Sequence, residues 1–371
     1  MENSKRLQSL DFFRGITIAA MILVNNPGSW AHIYAPFEHA EWHGWTPTDL
    51  IFPFFLFIVG VSINLAMSGK KRRNDPKIDI YKRVIRRTLL LIGLGWFMSL
   101  FPFFNFSNLR VVGVLPRIGI CYLIVTIIFL HSSTRTQIFW TVFFLFLYWG
   151  LMEWYPVPEI GAGLYEKGAN FSNYVDSIFL KGHMWSATKT WDPEGIISTL
   201  PAFSTTLFGI LTGHLLLSKN EPLKKVQLII GGGLILTIAG LIWSIWLPIN
   251  KSIWTSSYSV FTAGLAMICL GISYYIIDIK NWHRGVKPFV IYGMNAITVF
   301  VISGLFAKSL ALISWTTAAG DTISLKSWIF NTFFLSWLSP INASLLFAIA
   351  FIAVFYLLVY VMYQKKIFIK V

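Results

Sequence analysis

VQLIIGGGLILTIAGLIWSIWL, residues 226–247, contains no charged side chain, and neither does ASLLFAIAFIAVFYLLVYVM, residues 343–362. A helix needs roughly 20 consecutive apolar residues to cross the hydrocarbon of a bilayer, and each of these runs supplies them. A membrane β-barrel would show short segments alternating apolar and polar residues, and these runs do not alternate. Outward from them, 56% of the 371 residues are hydrophobic and 12% are charged. A soluble domain carries about 25% charged residues, so too few are present here to clothe a soluble surface. The reading is an all-α, polytopic integral membrane protein.

Apolar runs and loop charges place about ten spans, near 13–29, 49–68, 88–104, 113–131, 138–154, 195–217, 226–247, 259–278, 288–308 and 343–363. The stretch 309–342 is too broken to cross. Its apolar part, Trp328–Leu338, ends near Pro340 and reads as an interfacial or re-entrant piece. No internal repeat and no appended soluble domain is visible, so residues 1–371 are expected to form one transmembrane domain.

The net charge of +14 is concentrated in a few connections. Lys70, Lys71, Arg72, Arg73, Lys77, Lys82, Arg83, Arg86 and Arg87 crowd one of them. Lys5/Arg6, Lys219/Lys224/Lys225, Lys280/Arg284/Lys287 and Lys365/Lys366/Lys370 fall on alternate loops. Such alternation is the positive-inside pattern, not the stripe of a nucleic-acid binder. Both termini are therefore expected in the cytoplasm, with anionic lipid or a polyanionic cofactor as secondary uses of the basic face. Cys121 and Cys269 lie inside apolar runs, so no disulfide framework is implied.

The outward connections carry the chemistry-bearing residues. His32, His39 and His43 share the first, and Asp49 follows at the start of the second span. Histidine suits proton transfer near neutral pH, while solvated interfacial side chains are the alternative. The histidine spacing matches no common zinc pattern, and no metal is expected. Asp11 and Arg14, three apart, can pair on one helix face. Asp49, Asp192 and Glu194 all suit helix-start caps. Arg117, after Pro116 within the fourth span, is harder to explain, since a guanidinium in hydrocarbon calls for a carboxylate, phosphate or carbonyl partner.

Together these segments resemble the heparan-α-glucosaminide N-acetyltransferase family, which includes bacterial NagX-like proteins. The resemblance begins at Arg6-Leu7-Gln8-Ser9-Leu10-Asp11-Phe12-Phe13-Arg14-Gly15. It continues through Phe37-Glu38-His39-Ala40-Glu41-Trp42-His43-Gly44-Trp45-Thr46 and Asp49-Leu50-Ile51-Phe52-Pro53-Phe54-Phe55. Leu115-Pro116-Arg117-Ile118-Gly119, Asp192-Pro193-Glu194-Gly195, Tyr292-Gly293-Met294-Asn295 and Lys365-Lys366-Ile367-Phe368 complete it. Each match is weak alone, but in this order they are specific and cover nearly the whole chain.

The resemblance implies transfer of acetyl from cytosolic acetyl-CoA, as co-substrate, to the amine of a glucosamine residue on the far side of the membrane. It implies a catalytic histidine at His39 and a functional asparagine at Asn25 after Val24, with Asn26 the neighbouring register. Glu38, Trp42, Asp49, Asp192 and Glu194 are then expected to hold the sugar. Arg14, Arg86, Arg87, Arg117 and Asn295 are expected to meet acetyl-CoA, the arginines by their charge and placement. A bacterial inner-membrane location follows, with a homodimer left open. Alternatives are O-acetylation of a cell-envelope glycan, which needs the same base, and a secondary transporter of a sugar or anion. Intramembrane charges suit a transporter equally, but it would not need a basic acetyl-CoA mouth.

Overall fold

The computed structural model describes residues 7–317 and 320–369; Lys5, Arg6 and Lys370 of the charge pattern lie outside them. The elements in chain order are α1 (Gln8–Asn25), α2 (Ile51–Arg72), α3 (Lys77–Leu100), α4 (Val114–His131), α5 (Thr134–Trp154), α6 (Phe171–Phe179) and α7 (Thr199–Leu217). They continue with α8 (Pro222–Trp243), α9 (Ser256–Ser273), α10 (Val286–Met294), α11 (Ala296–Leu312), a hairpin of β1 (Ser314–Thr316) and β2 (Thr322–Ser324), α12 (Leu325–Phe330) and α13 (Pro340–Gln364).

Among the described residues, six helices are long and apolar enough to cross a membrane: α2, α4, α7, α8, α9 and α13. A seventh is added if α10 and α11, bent by 83° at their junction, count as one span. The sequence reading placed spans on α1, α3 and α5 as well. These are long helices too, but polar residues dilute them: Asp11, Arg14 and Asn25 in α1, Arg83, Arg86 and Arg87 in α3, and Glu153 with polar first-turn residues in α5. The 309–342 stretch is not one crossing. It comprises the end of α11, the antiparallel hairpin and the short α12, which runs into a π-helical turn over Asn331–Leu335.

By contact the chain falls into two compact units. The first holds residues 1–39, 46–51 and 276–371. Within it α1 and α10 approach until backbones touch: a Cβ on Gly15 would lie 1.7 Å from the Phe289 carbonyl oxygen, and one on Gly293 2.1 Å from that of Asp11. Close approach at small residues is how helices gain dispersion contact where no hydrophobic drive exists between them. Asp278 caps the start of α1, its carboxylate accepting from Gln8 N at 3.2 Å and Ser9 N at 3.1 Å.

The second unit holds residues 40–45 and 52–275. Gly60 on α2 and Gly209 on α7 repeat the device, each built against the other helix's carbonyls. Beneath its long connection, residues 155–198, lies a core of Tyr148, Met152, Val157, Phe171, Val175 and Ile253. Outward-facing apolar side chains such as Leu234, Ile235 and Ile238 on α8 are exposed, as a helix facing hydrocarbon requires.

Candidate active site

In the first unit the site is built around a turn. Thr46 and Pro47 open a 3₁₀ turn over Pro47–Leu50, with proline at the first position, where its missing N–H costs nothing. Asp49 then closes the cap expected from sequence: its Oδ2 accepts from Thr46 N at 3.0 Å. The other carboxylate oxygen does something the cap does not require. Asp49 Oδ1 lies 2.6 Å from His39 Nδ1, while Thr46 Oγ1 donates to the Glu38 carbonyl at 2.6 Å and so fixes the backbone beside the histidine. Asp49 is 1% exposed, whereas the His39 side chain is 50% exposed. A buried carboxylate on Nδ1 selects the tautomer protonated there and orients the ring.

Other expected residues of this unit divide sharply. Asn25 is the exposed last residue of α1, while Asn26 is buried and its amide donates to Ile22 O at 2.8 Å. Asn26 is thus occupied in closing the helix, and Asn25 is the one presented outward. Glu38 is an exposed acid beside His39. Arg14 Nη1 pairs with Asp11 Oδ1 at 3.0 Å, as their spacing allows, and reaches Gly293 O at 3.4 Å. Asn295, expected to meet acetyl-CoA, is 1% exposed at the α10–α11 bend. Its amide donates to Ile367 O at 3.2 Å and accepts from Ile369 N at 3.0 Å, which ties down the C-terminal segment.

The second unit gathers charges of a different kind. Arg110 grips Asp192 with two nitrogens, Nε to Oδ2 at 2.8 Å and Nη2 to Oδ1 at 2.6 Å, and also donates to Glu194 Oε2. Burial works against the Arg110 charge, but Asp192 and Glu194 outweigh it and raise the guanidinium further above its ordinary value. Asp192 Oδ2 also accepts from Trp185 N at 2.8 Å. Beneath them Asp176 accepts from Asp192 N at 3.2 Å and Ile196 N at 2.9 Å. Burial pushes the Asp176 carboxyl up to about 6, with the Asp192 charge adding to the rise and the two backbone bonds opposing it. Gly195 is obligatory here, because a Cβ would fall 2.0 Å from Asp176 Oδ2.

Arg117 occupies the first turn of α4 and is 2% exposed. Its Nη2 donates to Gly195 O at 3.0 Å and to Ser198 Oγ, and the guanidinium lies 5.2 Å from the Trp254 ring centroid. Its Nε and Nη1 are buried without a hydrogen-bond partner among the described residues. Of the carboxylate, phosphate and carbonyl partners anticipated from sequence, the carbonyl is the one present, joined by a hydroxyl and an aromatic face. Trp42 is partly buried: its indole donates to Tyr165 O at 2.8 Å and packs edge-on at 5.2 Å against Trp191. Arg86 is exposed on α3, and Arg87 lies over the Tyr122 ring at 4.6 Å.

Sequence reasoning missed Arg110 and Asp176. Arg110 stands in a short connection without a recognisable motif, 82 residues from the acid it holds. The sequence around the acids gave no pointer to it, since Lys189 stands three residues before Asp192 as a local base.

Comparison with known proteins agrees with the segments quoted above. A family model described as "Heparan-alpha-glucosaminide N-acetyltransferase, catalytic" matches residues 6–232, more than half of the chain. The human protein named heparan-alpha-glucosaminide N-acetyltransferase is 27% identical across 99% of this chain and 60% of its own length. Its mouse counterpart is 26% identical across 100% of this chain and 61% of its own. The chain thus spans about three-fifths of the length of these curated relatives. With the buried Asp49 carboxylate on His39 inside the matched segment, the chain belongs to the heparan-α-glucosaminide N-acetyltransferase family.

Proposed function

We propose that the chain is a membrane-embedded acetyltransferase that moves acetyl from acetyl-CoA to the amine of glucosamine or a related amino sugar. Acetyl-CoA is taken from the basic, cytoplasmic face and the acceptor from the opposite one. The observation that carries this reading is the 2.6 Å contact between Asp49 and His39 Nδ1.

An amine acceptor must shed a proton before it can attack a thioester. With Nδ1 engaged by Asp49, Nε2 is the ring nitrogen that takes the proton, and a positioned base of this kind contributes ~10²–10⁴ in rate. The amine nitrogen bonds to the carbonyl carbon as the carbon–sulfur bond breaks, and the proton held on the imidazole passes to the departing CoA thiolate. Asn25, at the exposed end of α1, is assigned the amide donor that steadies charge developing on the carbonyl oxygen. Glu38 is assigned to the cationic acceptor. Asp49 acts through His39 and is a positioning residue. Asp192 and Glu194 would bind the acceptor only by exchanging it for Arg110, and Trp42 supports the connection around them.

The proposal includes about ten spans, both termini in the cytoplasm of a bacterium bounded by this membrane, and residues 1–371 working as one transmembrane domain. In that topology Arg117, at the first turn of α4, lies toward the outer face. Its contact with acetyl-CoA is then at the acyl end, while Arg14, Arg86 and Arg87 serve the nucleotide end.

Transfer of labelled acetyl from acetyl-CoA to glucosamine by the detergent-purified protein tests this reading. Transfer by the wild type that collapses in His39→Ala, with acetyl-CoA still bound, is the expected result. Binding without transfer to any amino sugar would redirect the acceptor to a hydroxyl, and absence of acetyl-CoA binding would overturn the enzyme assignment.

A further inference from the structure

At one end of the second unit, the last turns of three helices border an open cleft of about 610 Å³. Ser68, Lys71 and Arg72 of α2 form one wall; Phe129 of α4 and Leu217 of α7 form another. The start of α5 closes it with Ser133 and Thr134. No acidic side chain lines it.

A buried hydrogen-bond chain holds the walls in place. Lys71 Nζ donates to Phe129 O and, at 2.6 Å, to Ser132 O, and lies 4.7 Å from the Phe129 ring centroid. Gln137, fully buried, donates to Ser132 O at 3.2 Å and accepts from His214 Nε2 at 2.8 Å. The Lys71 ammonium thereby neutralises the negative end of α4 and remains as a fixed positive charge at the cavity. Across from it, Ser133 Oγ caps Thr136 N at 3.3 Å, so the positive end of a 21-residue helix opens there as well.

We infer that this cavity is a binding site for the phosphodiester headgroup of an anionic phospholipid, independent of the transfer reaction. Three observations converge. The polar lining is a lysine, an arginine, the His214 imidazole, two seryl and one threonyl hydroxyl and a helix N-terminus, a set rich in donors for a phosphate oxyanion. The remaining lining includes Phe129 and Leu217, which suit the start of acyl chains and not a hydrated soluble anion. The walls from α2, α4 and α7 are the ends of helices apolar enough to cross a membrane, which is the depth of lipid headgroups. Arg72 is exposed and free to close over a headgroup, while Lys71 holds it from below.

The test uses the full-length protein in mixed micelles and reads the melting temperature and the copurified lipid. Phosphatidylglycerol should raise the melting temperature of the wild type, while phosphatidylcholine and inorganic phosphate should not. Arg72→Gln should diminish the shift, and Leu217→Trp, which fills the cavity from an exposed position, should abolish it together with the copurified phosphatidylglycerol. An equal shift from inorganic phosphate would assign the site to a soluble anion and overturn the lipid reading. A phosphatidylglycerol shift unchanged in both variants would show that the lipid acts elsewhere, and no shift in the wild type would dismiss the site.

Discussion

Around Asp49 a single buried carboxylate holds a half-exposed imidazole, whereas around Asp192 two acids share one guanidinium, that of Arg110, which keeps its charge at any working pH. Both clusters come from connections rich in Trp, Gly and acids, and both begin with an acid at a turn. The difference lies in the partner. A carboxylate bound to a group that can gain and lose a proton is arranged for reaction, and one bound bidentately to arginine is arranged for shape. Acids that look equivalent in sequence therefore separate into machinery and framework once their partners are seen.

The contrast can be broken by substitution. The largest effect is expected at His39: His39→Ala should lower acetyl transfer by ~10²–10⁴ while leaving the melting temperature near that of the wild type. Asp192→Ala should do the opposite. It leaves Arg110, which is 24% exposed, with Glu194 alone and removes the acceptor for Trp185 N and Glu194 N, at a cost of about 1–3 kcal/mol. A detergent-solubilised thermal melt reads that loss directly, and a melt unchanged by Asp192→Ala would make the cluster dispensable.

Asp49→Asn sharpens the comparison, since it keeps the shape of the side chain while removing the carboxylate that holds His39 Nδ1. Transfer should fall by on the order of 10², less than for His39→Ala. Transfer at the wild-type rate would reduce Asp49 to the helix cap that its sequence suggests.

The smallest effect concerns Asp176. Its carboxyl is raised to about 6 from an ordinary value of 3.8, so the folded protein holds that proton more tightly than the unfolded chain. The corresponding stabilisation is full below pH 3.8 and is lost as pH rises through about 6. Between those limits the wild-type melting temperature should fall more steeply with pH than that of Asp176→Asn. Identical slopes would contradict the assignment.

The spans were largely legible because crossing hydrocarbon demands uninterrupted apolar residues, a requirement written locally in the chain. Where the local signal is diluted, as by Arg83, Arg86 and Arg87 in α3, length and hydropathy alone no longer secure the count. His39 was legible as a candidate because its neighbours form a motif. Its partner Asp49 was legible as a helix cap and a candidate sugar ligand but not as the holder of His39, since the bond between residues 39 and 49 depends on how the turn closes. That Asn26 is tied to Ile22 O while Asn25 is exposed could not be read from the Asn-Asn pair itself. Arg110 with Asp192, and Asn295 with Ile367, are separated by 82 and 72 residues, and nothing in composition or periodicity couples positions so distant. Those long-range polar ties are what a sequence without its fold conceals.

The most direct measurement is acetyl transfer across a membrane. The protein is reconstituted in one orientation into vesicles with glucosamine trapped inside and labelled acetyl-CoA supplied at the basic face outside. Labelled N-acetylglucosamine should accumulate inside with the wild type and not with His39→Ala. Transfer only when both substrates share one side, or undiminished transfer by His39→Ala, would contradict the proposed reaction.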